Sequence, residues 1–248
     1  MAVVNKDRKA CPPAGGSESP EVRKNFVGRG IFFRTFLLSG LPSRKMPSVQ
    51  NIIFDLGGVL LNLDMQRTRN EFVRLGLTQI DDLFRIGHAA SFFKQYEIGT
   101  ITDEEFVEKA RELAHKGTTH QQIIDAWNMM LLDFPPERVH FLNRLKTQYR
   151  LFLFSNTNAI HLQYFQKSYQ TVYGNALDDH FERAYYSHII NQRKPDVAAF
   201  EYVIQDCKID ASTTLFIDDA LVNVEGARQA GLQAVHLAEG KTILDLDL

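Results

Sequence analysis

Asp55 stands at the end of an apolar run, Asn51-Ile-Ile-Phe54, and Leu56, Gly57 and Gly58 follow it directly. An aspartate that a buried strand delivers to its C-terminal end can act as a covalent nucleophile, and glycines behind it let the backbone approach whatever is attacked. Three further segments carry chemistry of a matching kind. Leu151-Phe-Leu-Phe-Ser-Asn-Thr-Asn158 ends in hydroxyl and amide groups, Arg193-Lys-Pro-Asp196 sets a cation ahead of a proline-started helix, and Leu215-Phe-Ile-Asp-Asp219 ends in two adjacent carboxylates. Taken singly, Ser155 reads as a helix N-cap, Lys194 as a solvated charge, and Asp218 with Asp219 as a strand-to-helix turn. In a parallel sheet the four ends converge on one rim, where nucleophile, hydroxyl, cation and paired carboxylates suit phosphoryl transfer.

The division of labour follows from charge. Asp55 and Asp219 repel each other and an incoming phosphate unless a cation sits between them, and Mg²⁺ suits an oxygen-rich site. Lys194 can neutralise a phosphoryl oxygen and steady Asp55, while Ser155 and the backbone N–H groups of the Gly57-Gly58 turn can hydrogen-bond the remaining oxygens.

The elements that must hold these residues are five short apolar runs: Asn51 to Phe54, Arg150 to Phe154, Ala184 to Ser187, Thr214 to Ile217 and Ala234 to Leu237. Helix-like stretches separate most of them, which predicts an α/β parallel sheet covered on both faces. The interval from Phe54 to Arg150 is far longer than an ordinary crossover of a dozen or more residues. It therefore holds an insert, from Asp64 to Asp133, with helices expected over Met65 to Leu75, Ile80 to His88, a stretch opened by the capping-box spacing of Thr102 and Glu105, and His120 to Leu132. Its aromatic residues, among them Phe93, Phe106 and Trp127, read mainly as a small helical core, with one or two left to line a pocket. Pro135-Pro136 then starts a helix, to about Gln148, that leads back to the sheet.

Composition bounds the partners. The chain has 248 residues, 44% of them hydrophobic, enough for a sizeable core. Residues 1–45 hold nine Lys/Arg against three Asp/Glu, so with a net charge of −2 overall the remainder carries −8. An acidic folded part argues against nucleic acid, and no apolar stretch is long enough to span a membrane. Cys11 and Cys207 make no disulfide framework, which fits a cytoplasmic protein. Residues 1–45, with Pro12-Pro-Ala-Gly-Gly-Ser17, read as a disordered basic extension, and Met46 is an alternative translation start.

At the four motifs the chain resembles the haloacid dehalogenase-like (HAD) hydrolase superfamily, over nearly all of Ser48 to Leu248. The resemblance implies a Rossmann-like core, residues 46–63 and 134–248, with a helical cap of the C1 type, residues 64–133, inserted after the first strand. It also implies that Asp55 attacks phosphorus to form an aspartyl-phosphate, that Ser155 and, beside it, Asn156 are the phosphate-binding groups of the second motif, and that Lys194 is the third-motif lysine. Asp219 is implied as the direct Mg²⁺ ligand, Asp218 as its water-holding neighbour, Asn223 as a support for the loop, and the Gly57 carbonyl as a further ligand. The motifs look most like the bacterial α-glucose-1-phosphatase branch, which implies a small phosphorylated metabolite, with Glu97 of Tyr96-Glu-Ile-Gly-Thr100 facing it.

One position departs from the pattern. Phosphatases of this kind usually carry a second aspartate, the general acid, where this chain has Gly57. Loss of a positioned general acid costs about 10²- to 10⁴-fold in rate. Three readings follow: a phosphatase that works without that acid, for which a sugar phosphate with a good leaving group is the expected substrate; a metal-independent 2-haloacid dehalogenase, against which Asp218 and Asp219 speak; and a catalytically weakened binding protein.

Overall fold

The computed structural model describes residues 48–81 and 91–248. The expected N-terminal extension, and all but the first two residues of the helix expected over Ile80 to His88, lie outside them. Five parallel strands, β1 (Asn51–Phe54), β2 (Arg150–Ser155), β3 (Arg183–Tyr186), β4 (Thr214–Asp218) and β5 (Gln233–His236), form one sheet in the order β3-β2-β1-β4-β5. The chain builds outward from β1 through β2 to β3, then returns to the other side of β1 for β4. That reversal opens a crevice beyond the C-terminal ends of β1 and β4, where open α/β sheets hold ligands.

Both sheet faces are buried, which is why the strands read as continuous apolar runs. Ile52, Phe54, Leu151, Leu153, Leu215 and Ile217 belong to one core, and Ile53, Phe152, Phe154 and Phe216 to the other. The bounds of β1 match expectation. β2 and β4 each run one residue further, to Ser155 and Asp218, because their pairing with β3 and β5 continues past the apolar stretch. β3 and β5 sit one residue earlier than expected, since Arg183 and Gln233 pair across the ladder although neither is apolar.

Between β1 and β2 come α1 (Met65–Arg74), α2 (Phe92–Glu97), α3 (Asp103–Glu112) and α4 (His120–Asn128). Reciprocal capping boxes open α3 at Thr102 with Glu105 and α4 at Thr119 with Gln122. Phe72, Phe93, Phe106 and Trp127 meet as one aromatic cluster, with Phe93 and Trp127 ring centroids 5.1 Å apart. Helix α4 stops at Asn128, four residues short of expectation. Leu131 instead forms an antiparallel bridge with Leu63, and Asn62 and Leu132 exchange backbone bonds with Asp133 (2.9 Å) and Asn62 (3.0 Å). The two chain crossings that join the insert to the sheet thus lie side by side in extended backbone, a pairing invisible to helical periodicity.

Helix α5 (Pro136–Leu145) leads to β2 and ends before Gln148, its last residues closing in tighter turns. The remaining helices are α6 (Ala159–Tyr173), the short α7 (Ser187–Ile190), α8 (Val197–Cys207) and α9 (Leu221–Gln229). No described helix is long and apolar enough to cross a membrane.

Candidate active site

Asp55 follows β1, its N–H donating to the Ile217 carbonyl of β4 (2.9 Å), so the ladder fixes the residue on the rim. Lys194 lies fully buried beside it. Its Nζ donates to Asp55 Oδ1 at 2.6 Å and to Asp218 Oδ2 at 2.7 Å. The route differs from the expected one, because Lys194 is not at a strand end: β3 closes at Tyr186, and α7 and a loop intervene. Asn156, just past β2, holds that loop. Its Nδ2 donates to the Lys194 carbonyl (2.9 Å) and its Oδ1 accepts from the Lys194 N–H (3.0 Å). The Asn156 amide, expected to touch phosphate, is therefore engaged at both ends by the lysine's backbone and acts as a positioning group.

The two carboxylates of the fourth motif have separate environments. Asp218 is enclosed: besides Lys194, it accepts from the Ala220 N–H (2.7 Å) and from Asn223 Nδ2 (3.1 Å). Asp219 is exposed, and ligand oxygens of Asp55, Asp218 and Asp219 lie within 4.8 Å of one another. Burial pushes the Asp55 carboxyl up, to about 7, with Lys194 opposing that push and the neighbouring Asp218 and Asp219 adding to it. Burial likewise raises Asp219, with Asp218 adding to the rise. For Lys194, burial disfavours the ammonium, but Asp218 and Asp55 outweigh it and its pKa lies above the ordinary lysine value. Acids so crowded match a hard divalent cation.

The backbone behind Asp55 explains both glycines. Gly58 has φ +74°, and a Cβ there would lie 2.2 Å from Asp219 Oδ2, so only glycine lets that carboxylate stand against the turn. Gly57 has an ordinary φ, and its carbonyl accepts no backbone hydrogen bond among the described residues, so it is available to a cation. A Cβ at Gly57 would meet Leu63 Cδ1 at 2.6 Å. The space that a second aspartate of the first motif would enter is filled by the tip of the Leu63 side chain.

Above this rim lies a cavity of about 670 Å³, closed on its far side by the helical insert. Ser155, buried at the end of β2, lines it with Gly57 and Lys194. From α2, Glu97 reaches across to Arg193, Oε2 to Nη2 3.0 Å, and burial raises its pKa while Arg193 opposes the rise. The loop after α2 rests on the segment that carries Lys194. Ser187 Oγ donates to the Glu97 carbonyl (2.6 Å), Asn191 Nδ2 donates to the Ile98 carbonyl (2.9 Å), and Gly99 (φ +70°) sits so close to the His188 carbonyl that a Cβ would be 2.2 Å from it.

Sequence reasoning missed a second seam between insert and core. Asn158, the N-cap of α6, accepts from the His161 N–H (3.0 Å) and from Trp127 Nε1 (3.3 Å). His161 stacks on Trp127, centroids 4.4 Å apart, donates from Nε2 to the Trp127 carbonyl (3.0 Å) and accepts at Nδ1 from Asn158 (3.2 Å). Burial holds this imidazole down, to about 4, so it is neutral. The N-cap spacing of Asn158 before an amphipathic run was the available signal, but its bond to Trp127 is tertiary.

The order of the sheet, the insertion after β1 and the Asp-Lys-Asp cluster at the rim are those of a haloacid dehalogenase-like hydrolase, and the family model for haloacid dehalogenase-like hydrolases matches residues 49–231. The chain belongs to that family and is a hydrolase. It is 26% identical to the D-ribitol-5-phosphate phosphatase of Bacteroides thetaiotaomicron over 192 residues, 77% of this chain and 93% of that one. A sesquiterpene phosphatase of Aspergillus oryzae is 34% identical over 61 residues, 25% of this chain and 31% of that one. Among solved structures, a HAD-family enzyme from Bacteroides thetaiotaomicron in complex with magnesium and inorganic phosphate superposes with a TM-score of 0.73 at 34% identity, covering 78% of this chain and 96% of that one. That neighbour holds magnesium, and the acidic cluster with the Gly57 carbonyl offers in this chain the charge and the oxygen donors that such a cation takes.

Proposed function

We propose that this hydrolase is a Mg²⁺-dependent phosphatase that cleaves a small phosphomonoester through an aspartyl-phosphate on Asp55. The observation that carries the reading is the buried Lys194 ammonium joined to both Asp55 (2.6 Å) and Asp218 (2.7 Å), with Asp219 exposed beside them. Lys194 engages Asp55 Oδ1, which leaves Oδ2 without a protein hydrogen bond among the described residues. That oxygen attacks phosphorus, the new P–O bond forms as the bond to the leaving alcohol breaks, and the departing alkoxide takes a proton from water. Water then attacks the phosphorus of the aspartyl-phosphate, releasing inorganic phosphate and restoring the carboxylate. Throughout, Lys194 and Ser155 hold phosphoryl oxygens, Asn156 holds Lys194, and Asp218 with Asn223 holds the turn that presents Asp219. Asp55, the Gly57 carbonyl and Asp219 are the ligands we assign to Mg²⁺, which when bound neutralises charge between carboxylates and phosphate.

The names of the relatives diverge over the alcohol, D-ribitol 5-phosphate in one and a sesquiterpene in another. The first of these supports the sugar-phosphate expectation. Replacing the nucleophile tests the mechanism: in Asp55→Asn, Mg²⁺-dependent phosphate release from p-nitrophenyl phosphate falls at least about 10³-fold while the circular dichroism spectrum is retained. Turnover within tenfold of the parent would end the covalent mechanism.

A further inference from the structure

The cavity that holds the reacting groups is walled unevenly, and the unevenness identifies the alcohol. Beyond the phosphate-sized pocket at Ser155 and Lys194, several of the polar side chains that line the walls are engaged with their neighbours. Both ends of the Asn156 amide bind Lys194, both nitrogens of His161 bind Trp127 and Asn158, and Asn223 serves Asp218. A hydroxylated ligand would find few open partners among them, and each buried hydroxyl left unpaired weakens binding.

Another stretch of the lining is apolar. Leu63, whose Cδ1 occupies the space beside Gly57, starts a wall that continues through Leu131, Met130, Trp127 and Phe93 of the insert. Met65 (49% exposed), Val222 (48%) and Leu63 (37%) line the same cavity while keeping much of their apolar surface in water. Scattered exposed apolar residues are ordinary, but three lining a single cavity mark a binding surface. Open polar capacity remains where Lys94, Glu97 and Arg193 meet, with Arg193 Nε buried and without a hydrogen-bond partner, and Thr157 and Asp196 also stand on the lining. At about 670 Å³ the space is the size that buries a drug-sized ligand rather than a three-carbon metabolite.

We infer that the substrate is the monophosphate of an aliphatic alcohol, its carbon chain lying along the Leu63, Met65, Leu131 and Val222 wall with few hydroxyls beyond the ester oxygen. This rests on the phosphatase reading, and for the alcohol it replaces the sugar-phosphate expectation that the ribitol phosphatase supports. A chain of methylenes removes apolar surface from water on both sides of the contact, worth roughly fourfold in kcat/KM for each methylene buried. A polyol phosphate of the same length gains nothing from that wall.

The test compares butyl, hexyl and octyl phosphates with ribitol 5-phosphate and with p-nitrophenyl phosphate, at fixed Mg²⁺, by phosphate release. The inference expects kcat/KM to climb along the alkyl series and to exceed that of the polyol phosphate by at least tenfold. It also expects Met65→Gln and Val222→Asn, both at exposed positions, to flatten the alkyl series, with thermal melts showing that each variant is folded. A flat alkyl series, or a polyol phosphate preferred over it, overturns the inference while Mg²⁺-dependent turnover of p-nitrophenyl phosphate leaves the phosphatase reading standing. No Mg²⁺-dependent turnover of any of these esters overturns both.

Discussion

Replacing Gly58 with alanine isolates the link between one backbone torsion and the metal site. The residue has φ +74°, and the added Cβ would lie 2.2 Å from Asp219 Oδ2, 2.7 Å from its Cγ and 3.3 Å from its Cβ. The left-handed conformation costs an alanine about 1–2 kcal/mol. Relief of the contact requires the Asp219 carboxylate to withdraw by roughly 1 Å, since non-bonded heavy atoms rest about 3.5 Å apart. A misplacement of that size in a reacting group costs about 10²-fold. Two measurements separate the effects. Without metal, the melting temperature of Gly58→Ala falls by about 2–8 °C from the torsional cost alone. In a Mg²⁺ titration of phosphate release, the half-saturating concentration rises about 10- to 100-fold, and the thermal stabilisation that Mg²⁺ gives the parent is lost at the parent's saturating concentration. If the melting temperature falls and the Mg²⁺ titration stays within threefold of the parent, Asp219 is not a ligand and the reasoning fails.

Two further outcomes follow from neighbouring observations. Gly57→Asp alone sets its side chain against Leu63 Cδ1, whereas Gly57→Asp with Leu63→Ala has room for an acid; the double variant should raise kcat for alkyl phosphates about 10²-fold relative to aryl phosphates, and equal effects on both ester types would exclude proton donation as the missing function. His161 has its pKa depressed from 6.5 to about 4, so between those values the unfolded chain binds a proton that the folded chain does not. Stability from this group is fully present above pH 6.5 and is lost as pH falls toward 4, by about 3 kcal/mol in total. Urea unfolding at pH 7.5 and 4.5 should show a smaller loss of stability in His161→Gln than in the parent, and identical losses would mean that His161 is not buried neutral.

The parts of this site that follow strands were legible from sequence, because a strand's apolar run ends where its polar cargo begins. Asp55 and the Asp218-Asp219 pair needed only that rule, and Thr102 with Glu105 announced a helix start by spacing alone. Lys194 was recognisable as a cation before a proline, yet its route past α7 was not, since a four-residue helix has no periodicity to read. Helix α2 was missed for the same reason, with six residues, five of them between aromatic and charged, and no side-chain cap bond at Ser91. The contact beside Gly57 was beyond reach, because the position of the Leu63 side chain depends on how the two crossings of the insert pair. Asn156 was read by type as a phosphate donor, and only its distance to the Lys194 backbone reassigns it.

The contacts of residues 187–193 with the loop after α2 bear on how such an enzyme can change its substrate. Ser187, Asn191 and Arg193 receive the insert, and the next residue is Lys194. A helical insert transplanted from a relative would leave those three donors facing a foreign loop, and any shift in their segment would propagate one peptide bond along to the ammonium that steadies Asp55. Selectivity and chemistry are therefore not separately exchangeable parts in this chain. A graft that carries residues 64–133 alone should disturb the nucleophile, and inheritance of a new specificity requires the insert and the 187–193 segment to travel together.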